Sequence, residues 1–432
     1  MGAIVNVWPD SFVYICSAGK AQVANAGPLR NAGLDRVSRV IILCGTTDPA
    51  SEDANTRRDA IDPKDRLVAW LEQQSASRLS VEGGTIDVIY GDPFELQYWR
   101  KELRSHLNAF VDPQASIVFN VKGGTKEMAI GGMSATDRHE RRSIVTVRVN
   151  PNMVERIDSD TPGPLPATGG YLSFTEYLSL YGFRLESGTK GKGLRRERDW
   201  ITDFCRSVAE SVGSVPLILN RMIRAFFSNQ NKRSFEPKII SADWGVIYAD
   251  DWNRIQSAFQ AMDGHLGFKV ERNADGIPQC YRIEQYSAVA FLQGGWLEAQ
   301  LFLALDTAFA ERNDVELRAN VCLFDRTGGK RITEIDVAVM IRGQLHILEA
   351  KTGTMESAVG TENAERSLAQ IATNKADLLG QMGGYAFVVN PTIDAVPEVV
   401  EQRARSTGIG LILGASAVEE AVRKVRALLD AR

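Results

Sequence analysis

Three ionisable residues in the last third of the chain have types and spacing that could cleave a phosphodiester. Asp336 lies within the apolar run ITEIDVAVMI, and Glu349 and Lys351 lie within LHILEAK. Both runs are typical of β-strands, and the period of two places Glu349 and Lys351 on the same strand face. If a tight turn at Arg342-Gly343 joins the two strands as a hairpin, Asp336 comes to lie near that pair.

Two carboxylates buried near each other repel unless a cation offsets their charge. Hard oxygen ligands select Mg²⁺ or Mn²⁺, so the pattern predicts a divalent metal site. Lys351 would then orient an attacking water or stabilise the charge of a phosphorane-like transition state. The alternative interpretation is that these residues are solvated positions at the ends of edge strands.

The surrounding elements must place these residues together. The sequence predicts an amphipathic helix over 294–312, three successive strands ending at QLHILEAK, a helix over AERSLAQIATNKADLLGQM, the strand YAFVV, and a further helix, strand and helix. This order, with Asp336 and a Glu-x-Lys on adjacent strands, resembles the PD-(D/E)XK nuclease superfamily.

The resemblance implies that Asp336 and Glu349 are metal ligands and that Lys351 is catalytic. It also implies that an acid on the first helix, Glu298 in GGWLEAQ, supports them. Ile335 stands where the superfamily often has proline. Lys375 and Gln370 on the following helix are weaker candidates for facing the site, and ordinary helix-surface positions are the alternative.

A second signal lies in the first 150 residues, where five short β-rich runs alternate with helical patterns. The runs are FVYIC, VSRVIILC, IDVIY, SIVFNV and SIVTVRV. The alternation predicts a mostly parallel sheet with helices on both faces, a Rossmann-like domain. One of its helices is predicted to begin at Asp62-Pro63, and another to run from about 94 to 110.

The fourth run leads into Gly123-Gly124-Thr125-Lys126, which opens a helix. Two glycines allow close backbone approach, and free N–H groups at a helix start favour phosphate. Lys126 follows Thr125 rather than preceding it, so the Walker A spacing is not met. The alternative is an ordinary glycine-rich turn.

The segment from Asn120 to Lys126 closely resembles the CARF domain, the CRISPR-associated Rossmann fold. Lys122 stands where the common pattern has a small hydroxyl residue. The resemblance implies that a cyclic oligoadenylate binds across a dimer two-fold at the carboxyl edge of the sheet. The implied ligand-binding residues are Ser17, Ala18, Gly19, Lys20, Gln22, Asn25, Thr46, Thr47, Lys122, Gly123, Gly124, Thr125 and Lys126.

A CARF domain joined to a PD-(D/E)XK domain is the architecture of the ancillary nucleases of type III CRISPR systems. The expected fold is therefore α/β, with a CARF domain at 1–165, a mainly helical connector at 166–285 and a nuclease domain at 286–432. The proline- and glycine-rich segment TPGPLPATGG (161–170) predicts an exposed boundary. The implied protein is a homodimeric, Mn²⁺- or Mg²⁺-dependent nuclease for single-stranded RNA or DNA, activated by cyclic tetra-adenylate.

Composition narrows the alternatives. The 432 residues are 44 % hydrophobic with a net charge of −4, which fits a globular chain and excludes a uniformly basic nucleic-acid coat. Five scattered cysteines predict neither a zinc site nor a disulfide framework. With no apolar stretch near 18 residues and no signal-peptide pattern, the sequence predicts a cytoplasmic protein without membrane contact.

Two rival functions remain open at this level. One is a CARF-domain transcription regulator that binds DNA without cleaving it and needs base-reading side chains in the middle region. The other is a metal-independent ribonuclease of the HEPN kind, for which Arg100 and His106 have suitable spacing, whereas Arg342 and His346 are one residue too close. The basic run at 188–199 is either a solvated loop or a phosphate contact.

Overall fold

The structure is a computed structural model of the chain. It describes residues 7–19, 22–74, 79–148, 153–158, 163–189, 191–209, 214–227, 235–241, 249–325, 331–352, 358–379 and 384–430. Of the residues predicted to bind ligand, Lys20 lies outside these ranges.

The first unit alternates strands and helices as predicted. Its elements are β1 (Phe12–Ser17), α1 (Val23–Ala32), β2 (Val37–Cys44), α2 (Ala54–Thr56), α3 (Asp62–Gln73), β3 (Ile86–Tyr90), α4 (Leu96–Phe110), β4 (Ser116–Asn120), α5 (Lys126–Ala135), β5 (Arg142–Arg148), β6 (Met153–Arg156) and β7 (Gly163–Pro164). The strands form one sheet in the order β3-β2-β1-β4-β5-β6-β7. Strands β1 to β5 are parallel, and β6 and β7 are antiparallel additions.

The strand order reverses between β1 and β4, which pair in parallel from Phe12 opposite Ser116. In an open α/β sheet, this reversal opens a crevice at the carboxyl ends of the two strands, where ligands bind. The loops that follow β1 and β4 are the two that the sequence singled out. The Rossmann-like prediction is therefore confirmed, and the switch point falls at the predicted ligand loops.

Helix α3 begins at Asp62 with Pro63 in its first turn, as predicted, but it continues a longer helical segment. The helical segment begins earlier, at α2, where the side chain of Asp53 accepts a hydrogen bond from the backbone N–H of Thr56. A wide π-turn at Arg57–Ile61 then joins α2 to α3 without a break. Asp62-Pro63 occupies the first turn of α3, a position that proline also tolerates inside this continuous helix.

The segment 161–170 is partly exposed over its described part, and it also packs on the first unit. The β7 pair at Gly163–Pro164 extends the first sheet, and Leu165 is buried. Gly169 packs so closely on the end of α1 that a Cβ there would lie 2.3 Å from the carbonyl oxygen of Arg30. Its N–H also donates to the carbonyl of Asn31 at 2.9 Å. The glycine therefore serves close packing here rather than chain flexibility.

The middle segment contains both helices and strands. Its elements are α6 (Phe174–Tyr181), β8 (Phe183–Thr189), α7 (Lys192–Arg196), α8 (Arg198–Ala209), α9 (Ser214–Phe227), β9 (Lys238–Ser241), α10 (Ala249–Ala261), β10 (Phe268–Arg272) and β11 (Pro278–Ile283). Strands β9 to β11 form a small antiparallel sheet in the order β10-β11-β9. In the described part of the segment, helical residues outnumber strand residues, as predicted, but this second sheet was not foreseen.

The last unit has the predicted order of helices and strands. Its elements are α11 (Tyr286–Ala290), α12 (Trp296–Ala308), β12 (Val315–Asp325), β13 (Arg331–Ile341), β14 (Gln344–Ala350), α13 (Ala358–Asn374), β15 (Ala386–Asn390), α14 (Glu398–Thr407), β16 (Ile409–Leu413) and α15 (Ala417–Asp430). The sheet order is β16-β15-β14-β13-β12-β8. Its outermost strand β8 comes from the segment assigned to the connector, so part of that segment is built into the last unit.

The helix predicted as amphipathic over 294–312 is a core helix. In α12 the side chains of Trp296, Leu297, Leu301, Phe302 and Leu305 are all buried, and Thr307 is the one exposed residue of this helix. The continuous helical stretch Tyr286–Ala308 is long and apolar enough to cross a membrane by length and composition. Its apolar residues instead pack with α8, α15 and the sheet inside the second hydrophobic core.

Candidate functional site

The predicted hairpin forms and determines the register of the acidic residues. Arg342 and Gly343 both have positive φ, 48° and 76°, which is the conformation that a two-residue hairpin turn requires. Val337 pairs with Leu348 across β13 and β14. One further step of this register places Asp336 directly opposite Glu349, with both side chains on the same sheet face.

The side chains at this end of the hairpin are connected by short hydrogen bonds. Asp336 is 9 % exposed and accepts a bond from the backbone N–H of Ala350 at 2.8 Å. The Lys351 ammonium donates to the Glu349 carboxylate at 2.6 Å. The three residues that the sequence placed together are therefore together, partly buried and oriented by their neighbours.

Two further carboxylates lie in the same electrostatic environment. Burial, followed by the charges of Glu334 and Glu349, raises the pKa of Glu298 to about 7. Glu298 is on α12, as predicted, whereas Glu334 was not predicted. Glu334 precedes Asp336 by two residues on β13, so a period-of-two reading of KRITEID would have placed both on one face.

The cluster carries more negative charge than its protein environment offsets. Burial, followed by the charges of Glu349 and Glu298, raises the pKa of Asp336 well above its usual range, against the opposing effect of Lys351. Burial lowers the pKa of Lys351, but the carboxylates of Glu349 and Asp336 outweigh that effect and the net shift is upward. Lys351 is therefore a firmly protonated cation at neutral pH.

The donor set fits a hard divalent cation. Asp336 and Glu349 present carboxylate oxygens on one face, and a cation between them would remove the repulsion that raises the pKa of Asp336. Among the described residues, no group of three or more His, Cys, Asp and Glu side chains has the spacing of a complete metal site. These two carboxylates would thus hold a cation together with water or backbone oxygens.

A kink brings α12 to the cluster. The π-turn Phe291–Gly295 lies between α11 and α12, and Gly294 within it has φ 151°. The hydroxyl of Thr352, which directly follows Lys351, lies 3.4 Å from the position that a Cβ on Gly294 would occupy. The kink therefore sits against the end of β14, one helical turn before Glu298.

Of the two weaker candidates on the following helix, only Gln370 has a side chain that the structure describes. The side chain of Gln370 is exposed on α13. Lys375 begins the π-turn Lys375–Leu379, and its side chain lies outside the described residues.

In the first unit, the two predicted loops touch at the switch point. A Cβ on Gly19 would lie 3.0 Å from the backbone nitrogen of Gly124, and a Cβ on Gly124 would lie 2.5 Å from the Cβ of Ser17. Gly123 and Gly124 have φ of 105° and 64°, so glycine is required twice over, by conformation and by space. Gly19 and Gly123 remain partly accessible, and Gly124 is exposed.

Gln22 and Asn25 were predicted to reach the ligand, but both are fully buried. The Gln22 amide donates to the carbonyl of Gly19 at 2.7 Å, and the Asn25 amide donates to the carbonyl of Ser17 at 2.8 Å. Asn120 also donates to Asn25 at 3.1 Å. These amides therefore hold the loop after β1 in shape and do not face solvent.

The remaining predicted residues differ in accessibility. Ser17, Ala18 and Thr46 are buried, whereas Thr47 and Lys126 are exposed. The Thr46 hydroxyl bonds within its own turn, to the carbonyl of Asp48 at 3.0 Å. Only some of the predicted ligand-binding residues are therefore accessible at this edge of the sheet.

The opening of α5 is well defined. Thr125 is its N-cap and accepts from the backbone N–H of Met128 at 3.3 Å, while its hydroxyl donates to the carbonyl of Pro93. Lys122 and Lys126 flank the two glycines, partly buried and exposed respectively. The loop thus combines free backbone N–H groups, a helix start and two cations, which is a favourable environment for phosphate.

Two cations of the basic run at 188–199 bond within the protein, and Lys190 of the run lies outside the described residues. Arg195 and Arg198 both bond to the carboxylate of Asp306 on α12, at 3.0 and 2.8 Å. Arg196 remains 81 % exposed. Arg195 and Arg198 therefore fasten α7 and α8 to α12. The solvated-loop interpretation does not account for these two residues.

The two histidines considered for the metal-independent alternative lie in different units of the structure. His106 lies 3.3 Å from the carboxylate of Asp87 inside the first unit. Burial lowers the pKa of His346 to about 3, and its Nδ1 accepts from the backbone N–H of Tyr385 at 3.2 Å. His346 is therefore neutral and enclosed at physiological pH.

Comparison with known proteins agrees with this geometry. Residues 285–428 match the model of the family described as Card1-like, endonuclease domain. No curated protein matches the sequence. Protein VC1899 from Vibrio cholerae has a similar structure, with a TM-score of 0.72 and 16 % identity over 97 % of this chain and 98 % of that one.

A second similar structure is that of Can2 from Sulfobacillus thermosulfidooxidans, which was determined in complex with cyclic tetra-adenylate. It has a TM-score of 0.66 and 16 % identity, over 97 % of this chain and 98 % of that one. At such identity the likeness shows a shared fold along nearly the whole chain. The predicted fold class is therefore confirmed.

Proposed function

We propose that the chain, whose residues 285–428 form a Card1-like endonuclease domain, is a divalent-metal-dependent nuclease activated by a cyclic oligoadenylate. The observation that carries the proposal is the pair Asp336 and Glu349, opposite each other in register, with Lys351 on the same face. Cyclic tetra-adenylate is the proposed activator, because the structurally similar Can2 is bound to it.

Each residue of the cluster has a different role in hydrolysis. Asp336 and Glu349 would hold Mn²⁺ or Mg²⁺, which supplies an activated water and neutralises charge on the phosphoryl oxygens. Lys351 is protonated and lies beside Glu349, so it is placed to stabilise the negative charge that develops at phosphorus. Glu298, whose pKa is about 7, can accept a hydrogen bond or hold a proton at this edge.

The ligand half of the proposal rests on the switch point. The Gly123-Gly124 loop, the α5 start and the loop after β1 form one phosphate-compatible edge. A roughly symmetric cyclic ligand would meet two copies of this edge on a two-fold axis, so we propose a homodimer. A single-stranded RNA or DNA substrate, a cytoplasmic location and a role in type III CRISPR antiviral defence complete the proposal.

The decisive experiment measures cleavage of labelled single-stranded RNA, single-stranded DNA and plasmid with Mn²⁺, with and without cyclic tetra-adenylate. We expect ligand-dependent cleavage by the unmodified protein and a loss of at least about 100-fold in Glu349→Gln. Glu419→Gln on the exposed surface of α15 is the matched control and should retain activity. Cleavage that persists in Glu349→Gln, or that ignores the ligand, contradicts the proposal.

The rival regulator function would need a base-reading helix in the middle segment. Helix α10 exposes Asn253 and Arg254, side chains that can read base edges. The adjacent hairpin carries no surplus of positive charge, because Lys269 pairs with Glu284 and Arg272 lies 3.6 Å from Asp263. A gel shift in EDTA without any cleavage on adding metal would favour the regulator.

A further inference from the structure

Helix α6 touches both the ligand-sensing unit and the nuclease unit through specific hydrogen bonds. On the sensor side, the indole N–H of Trp70 donates to the Glu176 carboxylate at 3.3 Å. The guanidinium of Arg66 donates to the carbonyl of Leu180 at 3.0 Å. Both partners lie on α3, the helix that follows the predicted ligand loop after β2. A movement of α3 would therefore be transmitted directly to α6.

On the nuclease side, Tyr177 is fully buried and its hydroxyl donates to the carbonyl of Leu378 at 2.7 Å. Leu378 lies in the π-turn Lys375–Leu379 that follows α13. The phenol therefore ties this turn to α6 through a buried backbone carbonyl. The start of α6 is also tied to β12, where Glu316 accepts from the backbone N–H of Phe174 at 3.0 Å.

The same packing layer reaches the catalytic face. Met340, Leu345 and Ile347 share one hydrophobic cluster with Tyr177 and Leu378. In β13 and β14 the alternation of side chains puts these three residues on the face that carries Asp336, Glu349 and Lys351. The cluster also includes Trp70 and Leu71 of the sensor. One close-packed layer therefore runs from α3, through α6 and the end of α13, to the face with the acidic cluster.

We infer that Tyr177 is a positioning residue that couples the sensor to the nuclease, by holding the end of α13 to α6. This inference rests on the proposed activation by a cyclic oligoadenylate. The Tyr177 bond matters because it is directional and buried, so α6 cannot shift or turn without moving the π-turn or breaking the bond. A ligand that displaces α3 thereby changes the free energy of the nuclease arrangement.

The test compares the activation ratio, which is the cleavage rate with cyclic tetra-adenylate divided by the rate without it. Tyr177→Phe keeps the ring and loses the hydroxyl, and we expect the ratio to fall roughly five-fold, the scale of one net hydrogen bond. The dissociation constant of the ligand should stay within two-fold. Trp70→Phe, on the sensor side, should lower the ratio in the same direction by roughly two-fold.

The matched control is Tyr98→Phe. The hydroxyl of Tyr98 also donates to a backbone carbonyl, that of Tyr90 at 2.6 Å, but it does so within the sensor and away from α6. We expect this variant to keep the activation ratio of the unmodified protein. A normal ratio in Tyr177→Phe, or an equal loss in Tyr98→Phe, overturns the inference.

A second readout needs no ligand. Amide hydrogen exchange across 375–379 should become faster in Tyr177→Phe and also in Trp70→Phe, although the Trp70 indole bonds to α6 and not to that segment. Unchanged exchange in Trp70→Phe contradicts the route through α6. If the unmodified protein is not activated by the ligand while this exchange effect is present, the proposed function fails and the coupling stands.

Discussion

At the scale of single residues, the acidic cluster is a destabilising feature of the folded chain. Asp336 is nearly buried, faces Glu349 and lies near Glu298, and these neighbours together with burial raise its pKa well above the usual range. Lys351 offsets only part of this repulsion. Such an arrangement costs folding free energy, and its retention is understandable where the carboxylates bind a cation or do chemistry.

The consequence is a trade between stability and activity at Asp336. In EDTA at pH 8, Asp336→Asn should raise the free energy of unfolding by roughly 1–2 kcal/mol, because it removes an ionised buried carboxylate, and should abolish cleavage. Because the pKa of Asp336 is raised in the folded state, the unmodified protein gains stability as pH falls. The difference in free energy of unfolding between the variant and the unmodified protein therefore narrows towards acid pH. Urea unfolding at several pH values measures both effects.

Asp275→Asn, in an exposed turn of the β10–β11 hairpin, provides the comparison and should change stability little. Equal stability of Asp336→Asn and the unmodified protein at pH 8 would show that the cluster carries no electrostatic strain.

At the scale of elements, the two glycines after β4 decide the shape of the ligand edge. Gly124 has φ 64°, and a Cβ there would lie 2.5 Å from the Cβ of Ser17. A side chain at position 124 would therefore be strained by this φ and would overlap Ser17. The overlap cannot be relieved without moving the loop after β1, which Asn25 and Gln22 hold from within. The ligand edge is therefore formed by the contact between the two loops and not by either loop alone.

We therefore expect Gly124→Ala to weaken binding of cyclic tetra-adenylate by at least about ten-fold, because strain and overlap together cost more than about 1.4 kcal/mol. Isothermal titration calorimetry measures this directly. Gly27→Ala in α1 is the matched control, since a Cβ there meets nothing within 4 Å. Undiminished binding in Gly124→Ala would show that cyclic tetra-adenylate does not bind at this loop.

At the scale of the whole molecule, the sensor and the nuclease share structure instead of being joined by a free linker. The described part of 161–170 packs on α1, and β8 from the middle segment extends the nuclease sheet beside β12. One hydrophobic cluster includes residues of both units. A rearrangement of the sensor must therefore be accommodated by the nuclease, which is the physical condition for coupling between the two sites.

The proposed two-fold makes a stoichiometric prediction. We expect one cyclic tetra-adenylate to bind per two chains, and a solution mass of twice the 47.5 kDa of one chain. Sedimentation equilibrium measures the mass, and calorimetric titration measures the ratio. Binding of one ligand per chain, or a monomer at micromolar concentration with ligand bound, would remove the basis for a shared symmetric site.

Local chemistry in the sequence was sufficient for much of this architecture. The strands β1 to β5, the order of elements after residue 286 and the positive-φ turn at Arg342-Gly343 follow from side-chain period and turn chemistry, which act between near neighbours. Asp336, Glu349 and Lys351 could be placed on one face because the strand period is fixed at two. Glu298 came only from the superfamily resemblance, and the structure places it in the same cluster.

Other features depended on contacts between distant parts of the chain. Four features arise where segments far apart in sequence meet: the burial of Gln22 and Asn25, the packing of Gly169 on α1, the burial of most of α12 and the recruitment of β8. Glu334 followed the same period as Asp336, but only the folded cluster showed that its charge acts on Glu298. Local pattern determines which residues share a face, whereas burial and electrostatic coupling depend on what the completed fold packs against that face.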